Sequence, residues 1–259
     1  MDRVKEALII FGVNPVLEKL KGSPQEIVEV VLTKGQQRPV LRFIEREARG
    51  HGLPVRQLET AALDRLAEGG KHQGVVAKVA PHAYQLFADL LEELPSASGP
   101  DQILVLDGVT DPRNFGALLR TAECVGMRHV VIPQDRCVGV TPTVVKTSAG
   151  AVHYLKISRV TNLRRALLAL KERGYWVIGL DAVAKESVYG RAYPERLVVV
   201  LGAEGTGVRP LIRQECDFLV SIPMKGKIVS LNVAVAGGIF LYELIRQRSL
   251  STNAVETQK

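Results

Sequence analysis

Two short apolar runs, Leu197–Leu201 and Phe218–Ile222, constrain the fold of this chain more than any other feature. Neither alternates polar with apolar residues, and each stops at a polar, glycine-bearing turn. Continuous Val/Leu/Ile runs of this length read as strands buried on both faces, as in a parallel sheet. After the first run comes Gly202-Ala203-Glu204-Gly205-Thr206-Gly207, whose glycines permit positive φ and close approach of backbone to a ligand. After the second, Pro223 through Asn232 leads into a long helix, Val233–Arg248, which Ser230 or Asn232 is placed to cap. Ala234, Ala236, Gly237 and Gly238 lie early in that helix, where each glycine costs roughly 1 kcal/mol against alanine. They imply close packing against a ligand or another helix. In open α/β sheets the ligand crevice lies beyond the carboxyl ends of the strands, so both turns belong on one rim. An ordinary buried helix after ordinary strand-to-helix turns uses the same spacing.

The same strand–helix alternation begins at Ile103 and persists to Arg248, which predicts a mostly parallel sheet flanked by helices. Strands are expected at Ile103–Leu106, His129–Ile132, Val152–Ile157, Tyr175–Leu180, Leu197–Leu201 and Phe218–Ile222. Asp111-Pro112 supplies an N-cap and a proline at the first helical position, for a helix to about Val125. Thr141-Pro142 repeats the device for Thr141–Ser148, and Thr161 and Gly174 bound Leu163–Arg173.

Residues 1–80 read as a separate small α/β unit, with strands at Ala7–Phe11, Ile27–Leu32, Val55–Leu58 and Gly74–Val79. Helices are expected at Pro15–Leu20 after the cap Asn14, at Pro39–Ala48 closed by Gly50, and at Thr60–Leu66. Residues 81–100 change character: a short acidic helix, Tyr84–Leu94, runs into Pro95-Ser96-Ala97-Ser98-Gly99-Pro100, which reads as linker. Residues 101–250 form the second domain, and the polar residues 251–259 are expected to fray.

A formal charge of +7 favours polyanionic partners, an argument about association rather than fold. Residues 101–250 carry 20 Lys and Arg against 13 acids, so most of the excess lies there. In the first unit Arg42, Arg46 and Arg49 share one helix face, either as an RNA contact or as a solvated face offset by Glu45 and Glu47. Cys124, Cys137 and Cys216 are odd in number and widely spaced, which reads as a reduced, cytoplasmic protein. His and Cys show no metal-ligand spacing, so no metal is expected. The N-terminal apolar run is too short for a signal peptide, and no span is long enough to cross a bilayer.

The glycine order G-x-x-G-x-G is not the dinucleotide order, and it comes late in the domain, which disfavours a nicotinamide enzyme. There is no P-loop and no G-x-S-x-G elbow. What remains is a polar set at strand ends: Asn114 and Arg120, Glu204, and Ser230 with Asn232. Taken singly, Asn114 reads as a helix cap and Arg120 as a surface ion pair. Six residues apart, the two do not share a helical face neatly.

Three segments resemble, in order, the three signatures of the SpoU (TrmH/RlmB) class of SPOUT RNA methyltransferases. They are Val105 to Ala122, with Asn114 and Arg120; Leu201-Gly202-Ala203-Glu204-Gly205-Thr206-Gly207; and Ile222-Pro223-Met224 through Ser230-Leu231-Asn232-Val233-Ala234. More weakly, Gly12-Val13-Asn14-Pro15-Val16 and His72-Gln73-Gly74-Val75-Val76 resemble a small RNA-binding domain of the ribosomal-protein L30e/L7Ae type.

The resemblance implies a deep C-terminal trefoil knot, a homodimer built on the C-terminal domain, and S-adenosylmethionine as methyl donor. It implies large-subunit (23S) ribosomal RNA as substrate, methylated at a guanosine ribose 2′-oxygen, with transfer RNA, another ribosomal site or a non-catalytic RNA binder as alternatives. Carried over by position, Leu201, Gly202, Ile222, Met224, Ser230 and Leu231 hold the cofactor. Arg120, Asn114, Glu204 and Asn232 are the catalytic set. Substrate contacts are expected from Arg113, Lys146, Lys225 and Lys227, and from Arg42 and Arg46 in the first unit. Because a guanidinium stays protonated, Arg120 is read as an anchor for the adjacent phosphate and the developing alkoxide, with a base role as the alternative.

Overall fold

The computed structural model describes residues 7–35, 38–95 and 99–256. Contacts divide the chain into two units at Ala83/Tyr84. The first contains β1 (Leu8–Phe11), α1 (Val13–Gly22), β2 (Ile27–Thr33), α2 (Pro39–Gly50), β3 (Val55–Leu58), α3 (Thr60–Leu66) and β4 (Val75–Val79). Its four-stranded sheet runs β1-β4-β2-β3, antiparallel except for the β2–β3 pair. The apolar stripe of α2 buries Leu41, Ile44 and Ala48 against that sheet, leaving Arg42, Arg46 and Arg49 exposed. One start differs from expectation: α1 begins at Val13 with Gly12 as its N-cap at φ 94°, so Asn14 lies inside the helix. The side chain of Gln73 accepts from the Val13 amide at 3.0 Å and satisfies one free donor of the helix's first turn.

The second unit holds α4 (Phe87–Glu93), β5 (Asp101–Asp107), α5 (Pro112–Cys124), β6 (His129–Pro133), α6 (Pro142–Thr147), β7 (Lys156–Val160), α7 (Leu163–Glu172), β8 (Trp176–Leu180), β9 (Glu186–Ser187), β10 (Arg196–Gly202), α8 (Pro210–Arg213), β11 (Phe218–Ser221) and α9 (Val233–Glu256). Its seven strands lie in the order β7-β6-β5-β10-β8-β11-β9, and every pair is parallel. Alternate residues of β10 serve opposite faces. Val199 and Leu201 pack under α5, α6 and α9, while Val198 and Val200 pack under α4, α7 and α8. Burial on both sides explains why this strand has no polar phase in its sequence. The chain fills one side of β5 through β6 and β7, then crosses to β8 on the other side, and β10 inserts between β5 and β8. That reversal opens a crevice at the carboxyl ends of β5, β10 and β8.

Four expectations are corrected. Residues 81–100 are not all linker, because Leu90 of α4 is fully buried in the second unit's core. Ser96-Ala97-Ser98 lie outside the described residues. The segment Val152–Ile157 is not one strand: Ala151–His153 forms a 3-10 turn and β7 starts at Lys156. Its apolar residues Val152 and Leu155 are plugs in the α5/α6 core, so they look strand-like without pairing. Asn162, not Thr161, caps α7, its side chain accepting from the Arg165 amide at 3.0 Å. The last helix does not stop at Arg248 with a frayed tail but continues to Glu256; residues 257–259 lie outside the described residues.

Candidate functional site

Local chemistry places the site's side chains. At the end of β10 the chain folds back on itself: the amide of Ala203 donates to the Gly207 carbonyl at 3.1 Å, and the Gly207 amide to the Ala203 carbonyl at 2.9 Å. Gly205 (φ 78°) and Gly207 (φ 66°) take the left-handed backbone this tight turn requires. A Cβ on Gly202 would sit 2.0 Å from the Gly207 carbonyl carbon, so no other residue fits there.

The turn is fixed from below by Asp107, fully buried at the end of β5. Its carboxylate accepts from the Arg209 amide at 2.9 Å and from Arg209 Nε at 2.6 Å. On the other side, Asn232 caps α9, its Oδ1 accepting from the amides of Ala234 (3.0 Å) and Val235 (3.3 Å). Its Nδ2 donates to Asn114 Oδ1 at 2.9 Å and to Glu204 Oε1. The same Glu204 oxygen accepts from the Val233 amide at 3.3 Å. Asn114, Glu204 and Asn232 therefore form one cluster, contributed by α5, the glycine turn and the start of α9.

Beside this cluster lies a cleft of about 670 Å³ including its open mouth, within the ~300–1,000 Å³ usual for small-molecule sites. Leu201, Gly202, Ile222, Met224, Ser230 and Leu231 all line it, as does Glu204. Leu, Ile and Met walls suit the face of a flat heterocycle, and the exposed main chain of the two turns suits its polar edge. Gly237 explains how α9 closes so tightly on the sheet: its Cβ would fall 2.5 Å from Leu118 Cδ2 and 2.8 Å from Leu201 Cδ1. Gly238 faces open space.

Arg120 is not brought into the cleft of its own chain. Six residues of helix carry it about 9 Å along α5 and through roughly 600° from Asn114, onto another face. It is exposed and makes no hydrogen bond or ion pair among the described residues. Arg113, Lys146, Lys225 and Lys227 are likewise exposed. On α2, Arg46 pairs with Glu47 at 3.6 Å and stacks over Phe43, Arg49 pairs with Glu45 at 2.9 Å, and Arg42 is exposed.

The sequence reading missed a third wall of the cleft. Leu180, Asp181 and Ala182 at the end of β8 complete it, and Asp181 is braced by the Val183 amide (3.0 Å) and by Arg213 (3.3 Å). A signal existed: Leu106-Asp107 and Leu180-Asp181 both end an apolar strand in a carboxylate. Burial pushes the Cys137 and Cys216 thiols up to about 12, so neither is a ready nucleophile at neutral pH. Among the described residues no group of three or more His, Cys, Asp or Glu is placed to hold a metal ion. No helix among them is long and apolar enough to cross a membrane.

A model described as the SpoU rRNA Methylase family matches residues 101–242, and one described as RNA 2'-O ribose methyltransferase substrate binding matches residues 9–85. The chain is 42% identical over 243 residues to the 23S rRNA (guanosine-2'-O-)-methyltransferase RlmB of Pseudomonas putida, covering 93% of this chain and 97% of that protein. It is 41% identical over 241 residues to RlmB of Xylella fastidiosa, with the same coverage of both chains. The SpoU methyltransferase AviRb from Streptomyces viridochromogenes, solved in complex with the cofactor AdoMet, superposes with a TM-score of 0.75 at 24% identity. That likeness covers 95% of this chain and 91% of that one.

Proposed function

This chain belongs to the SpoU rRNA methylase family, and from that premise we propose that it methylates the ribose 2′-oxygen of a guanosine in 23S ribosomal RNA. The methyl donor is S-adenosylmethionine. The observation that carries the reading is the meeting of Asn114, Glu204 and Asn232 beside a cleft walled by Leu201, Gly202, Ile222, Met224, Ser230 and Leu231. A binding module has no need of that combination.

When bound, the donor supplies a sulfonium methyl for in-line displacement by a hydroxyl. The chain's own task is to align that hydroxyl, and alignment alone can contribute roughly 7–11 kcal/mol. In this reading Gly202, Ile222 and Leu231 hold the donor largely through main chain, with Leu201 and Met224 on its face and Ser230 at its edge. Asn232 holds Asn114 and Glu204 in place, and the remaining polar atoms of those two side chains fix the acceptor's position. Arg120 anchors the neighbouring phosphate and steadies charge developing on the attacking oxygen.

Arg120 lies outside its own cleft, so the proposal includes a homodimer through the second unit, in which Arg120 serves the partner's cleft. Val235 and Tyr242 on α9, 51% and 56% exposed, support an apolar contact there. Sedimentation equilibrium showing monomer at micromolar concentration would remove the dimer. A deep knot in the C-terminal part belongs to the same proposal, supported by membership of the family and compatible with the close packing of Gly237 against Leu118 and Leu201. An experimental chain trace that pulls straight from both ends would remove it. We place the enzyme in the cytoplasm, where ribosomal RNA is made; cell fractionation tests that placement.

Substrate contacts are assigned to the exposed Arg113, Lys146, Lys225 and Lys227 and to Arg42 and Arg46 of the first unit. Such contacts make RNA affinity fall steeply with salt, and a flat response counts against them. The deciding experiment maps ribose methylation in 23S rRNA from cells lacking the protein. One guanosine should lose its 2′-O-methyl group and regain it on complementation. An unchanged map with a missing methyl in transfer RNA would move the activity to that substrate. Titration should show binding of adenosylhomocysteine and none of NAD.

A further inference from the structure

A second concavity lies on the same carboxyl rim of the sheet, lined by Pro133, Asp135 and Arg136 after β6, by residues 161–164 at the start of α7, and by residues 209–212 of α8. It encloses about 1280 Å³ including its open mouth, nearly twice the cleft. We infer that this groove is a binding site for the phosphate backbone of the RNA strand next to the target nucleotide, with Arg136, Arg164 and Arg209 as its contacts. The inference rests on the reading of the cleft as a ribose methylation site and extends it to a surface that no resemblance assigned.

Arg164 and Arg209 are each tethered through Nε to an acid: Arg164 to Glu215 at 2.6 Å and Arg209 to the fully buried Asp107 at 2.6 Å. Tethering at Nε orders a long side chain in advance. It leaves both Nη groups of Arg164 and Nη1 of Arg209 without a protein partner among the described residues. A phosphate can take those donors, and the ordering entropy has already been spent in folding.

Arg136 is held differently. It is exposed and sits at φ 64°, a left-handed backbone uncommon for a side-chain-bearing residue. The turn before it is fastened by the Gln134 amide on the Val160 carbonyl (2.8 Å) and by Arg159 Nη2 on the Gln134 carbonyl (2.5 Å). Strained, well-anchored backbone at a rim is the expected setting for a residue that must project. Asp135 is the one acid lining the groove among the described residues, and the start of α7 adds the positive end of a helix dipole.

Position favours the strand adjacent to the acceptor. In the sheet order β6-β5-β10, β6 stands two strands from the floor of the cleft, roughly 10 Å at ordinary strand spacing. Arg209 also lies only two residues beyond Gly207, which lines the cleft. A backbone lying in the groove would thus approach the methyl-transfer position along the rim.

The test uses the full chain, a fluorescein-labelled single-stranded RNA 20-mer and transcribed 23S rRNA. Arg136→Glu and Arg164→Glu should each weaken binding of the 20-mer at least fivefold and lower the slope of log K against log salt by about 0.7 for each phosphate left unneutralised. Adenosylhomocysteine affinity should not move. Asp135→Lys should tighten RNA binding, a gain that misfolding cannot produce. RNA affinity unmoved by all three substitutions overturns the groove, even if wild type methylates 23S rRNA normally. Altered RNA affinity in a protein that methylates no 23S rRNA leaves the groove standing and removes the assigned activity instead.

Discussion

Asn232 Nδ2 donates to Asn114 Oδ1 across 2.9 Å, joining the first turn of α9 to the first turn of α5 over 118 positions of sequence. The same side chain spends its oxygen on the α9 cap and its remaining donor on Glu204. Every polar atom of Asn232 therefore has a fixed task, and only the nitrogen faces the two other cluster residues.

That division of labour makes Asn232→Asp informative. The aspartate keeps an acceptor for the Ala234 and Val235 amides, so the cap survives. It loses both donors and sets a carboxylate against Glu204. Methyl transfer should fall on the order of 100-fold, because Asn114 and Glu204 are no longer held in place, with adenosylhomocysteine affinity little changed. Radiolabelled transfer beside calorimetric titration reads the two effects separately. A parallel loss of cofactor affinity would assign Asn232 to the cleft rather than to the acceptor.

The neighbouring glycines of α9 predict opposite outcomes. At Gly237 an added methyl meets Leu118 and Leu201 at 2.5 and 2.8 Å, and overpacking of this kind costs about 1–3 kcal/mol. At Gly238 it meets nothing within the chain, so the helix of a free protomer gains about 1 kcal/mol from propensity alone. Gly238 shares a helix face with Val235 and Tyr242, where the dimer contact is proposed, so the comparison is made at a dilution that separates the protomers. Thermal scans there should place Gly237→Ala below wild type and Gly238→Ala above it, and two variants moving the same way would contradict the packing assigned to α9.

Local pattern disclosed some of this molecule and hid the rest. β10 was legible because burial on both faces leaves an unbroken apolar run, and α5 because Asp111-Pro112 supplies an N-cap and a proline at the first helical position. Val152 and Leu155 misled because a plug beneath a helix and a paired strand select the same side chains. The two-residue β9 and the four-residue α8 carry too little pattern to register. The fastening of Arg209 to Asp107 spans 102 positions, and no local spacing encodes a partner at that distance. In the site, the glycine turn announced a ligand wall by composition. Asp181 repeats the strand-end carboxylate of Asp107, but that pattern marks a cleft wall only once β8 lies beside β10 in the sheet.

Acid sensitivity should trace in part to His129. It opens β6 at 5% exposure, and its Nδ1 is buried without a partner among the described residues. Burial lowers its pKa, outweighing the attraction of Asp101 and Glu93. The unfolded chain takes up this proton near pH ~6.5, whereas the folded chain does so only at lower pH. As pH falls through that window the unfolded state binds more protons, so stability declines; above it the group contributes no slope. Urea midpoints should drop from pH 7 to pH 5 and drop less in His129→Leu. Equal slopes in both proteins would place the acid sensitivity on other groups.

The last prediction concerns Arg120, exposed on α5 and absent from the lining of its own cleft. Replacement by alanine should abolish methyl transfer, by roughly 10²–10³ or more if the guanidinium steadies developing charge, while adenosylhomocysteine still binds. Lysine should restore little, because it cannot present the planar fork. If Arg120 serves a partner's cleft, Arg120→Ala and Asn232→Asp damage different halves of one composite site. Mixing the two inactive proteins and allowing subunits to exchange should then regenerate activity, since one of the two clefts in each mixed dimer receives both an intact Arg120 and an intact Asn232. If Arg120 instead acts within its own chain, each cleft of a mixed dimer carries one of the two lesions, so the mixture stays inactive. Activity measured against mixing time therefore separates the two arrangements, and a flat trace in a proven exchanging dimer rules out action across the interface.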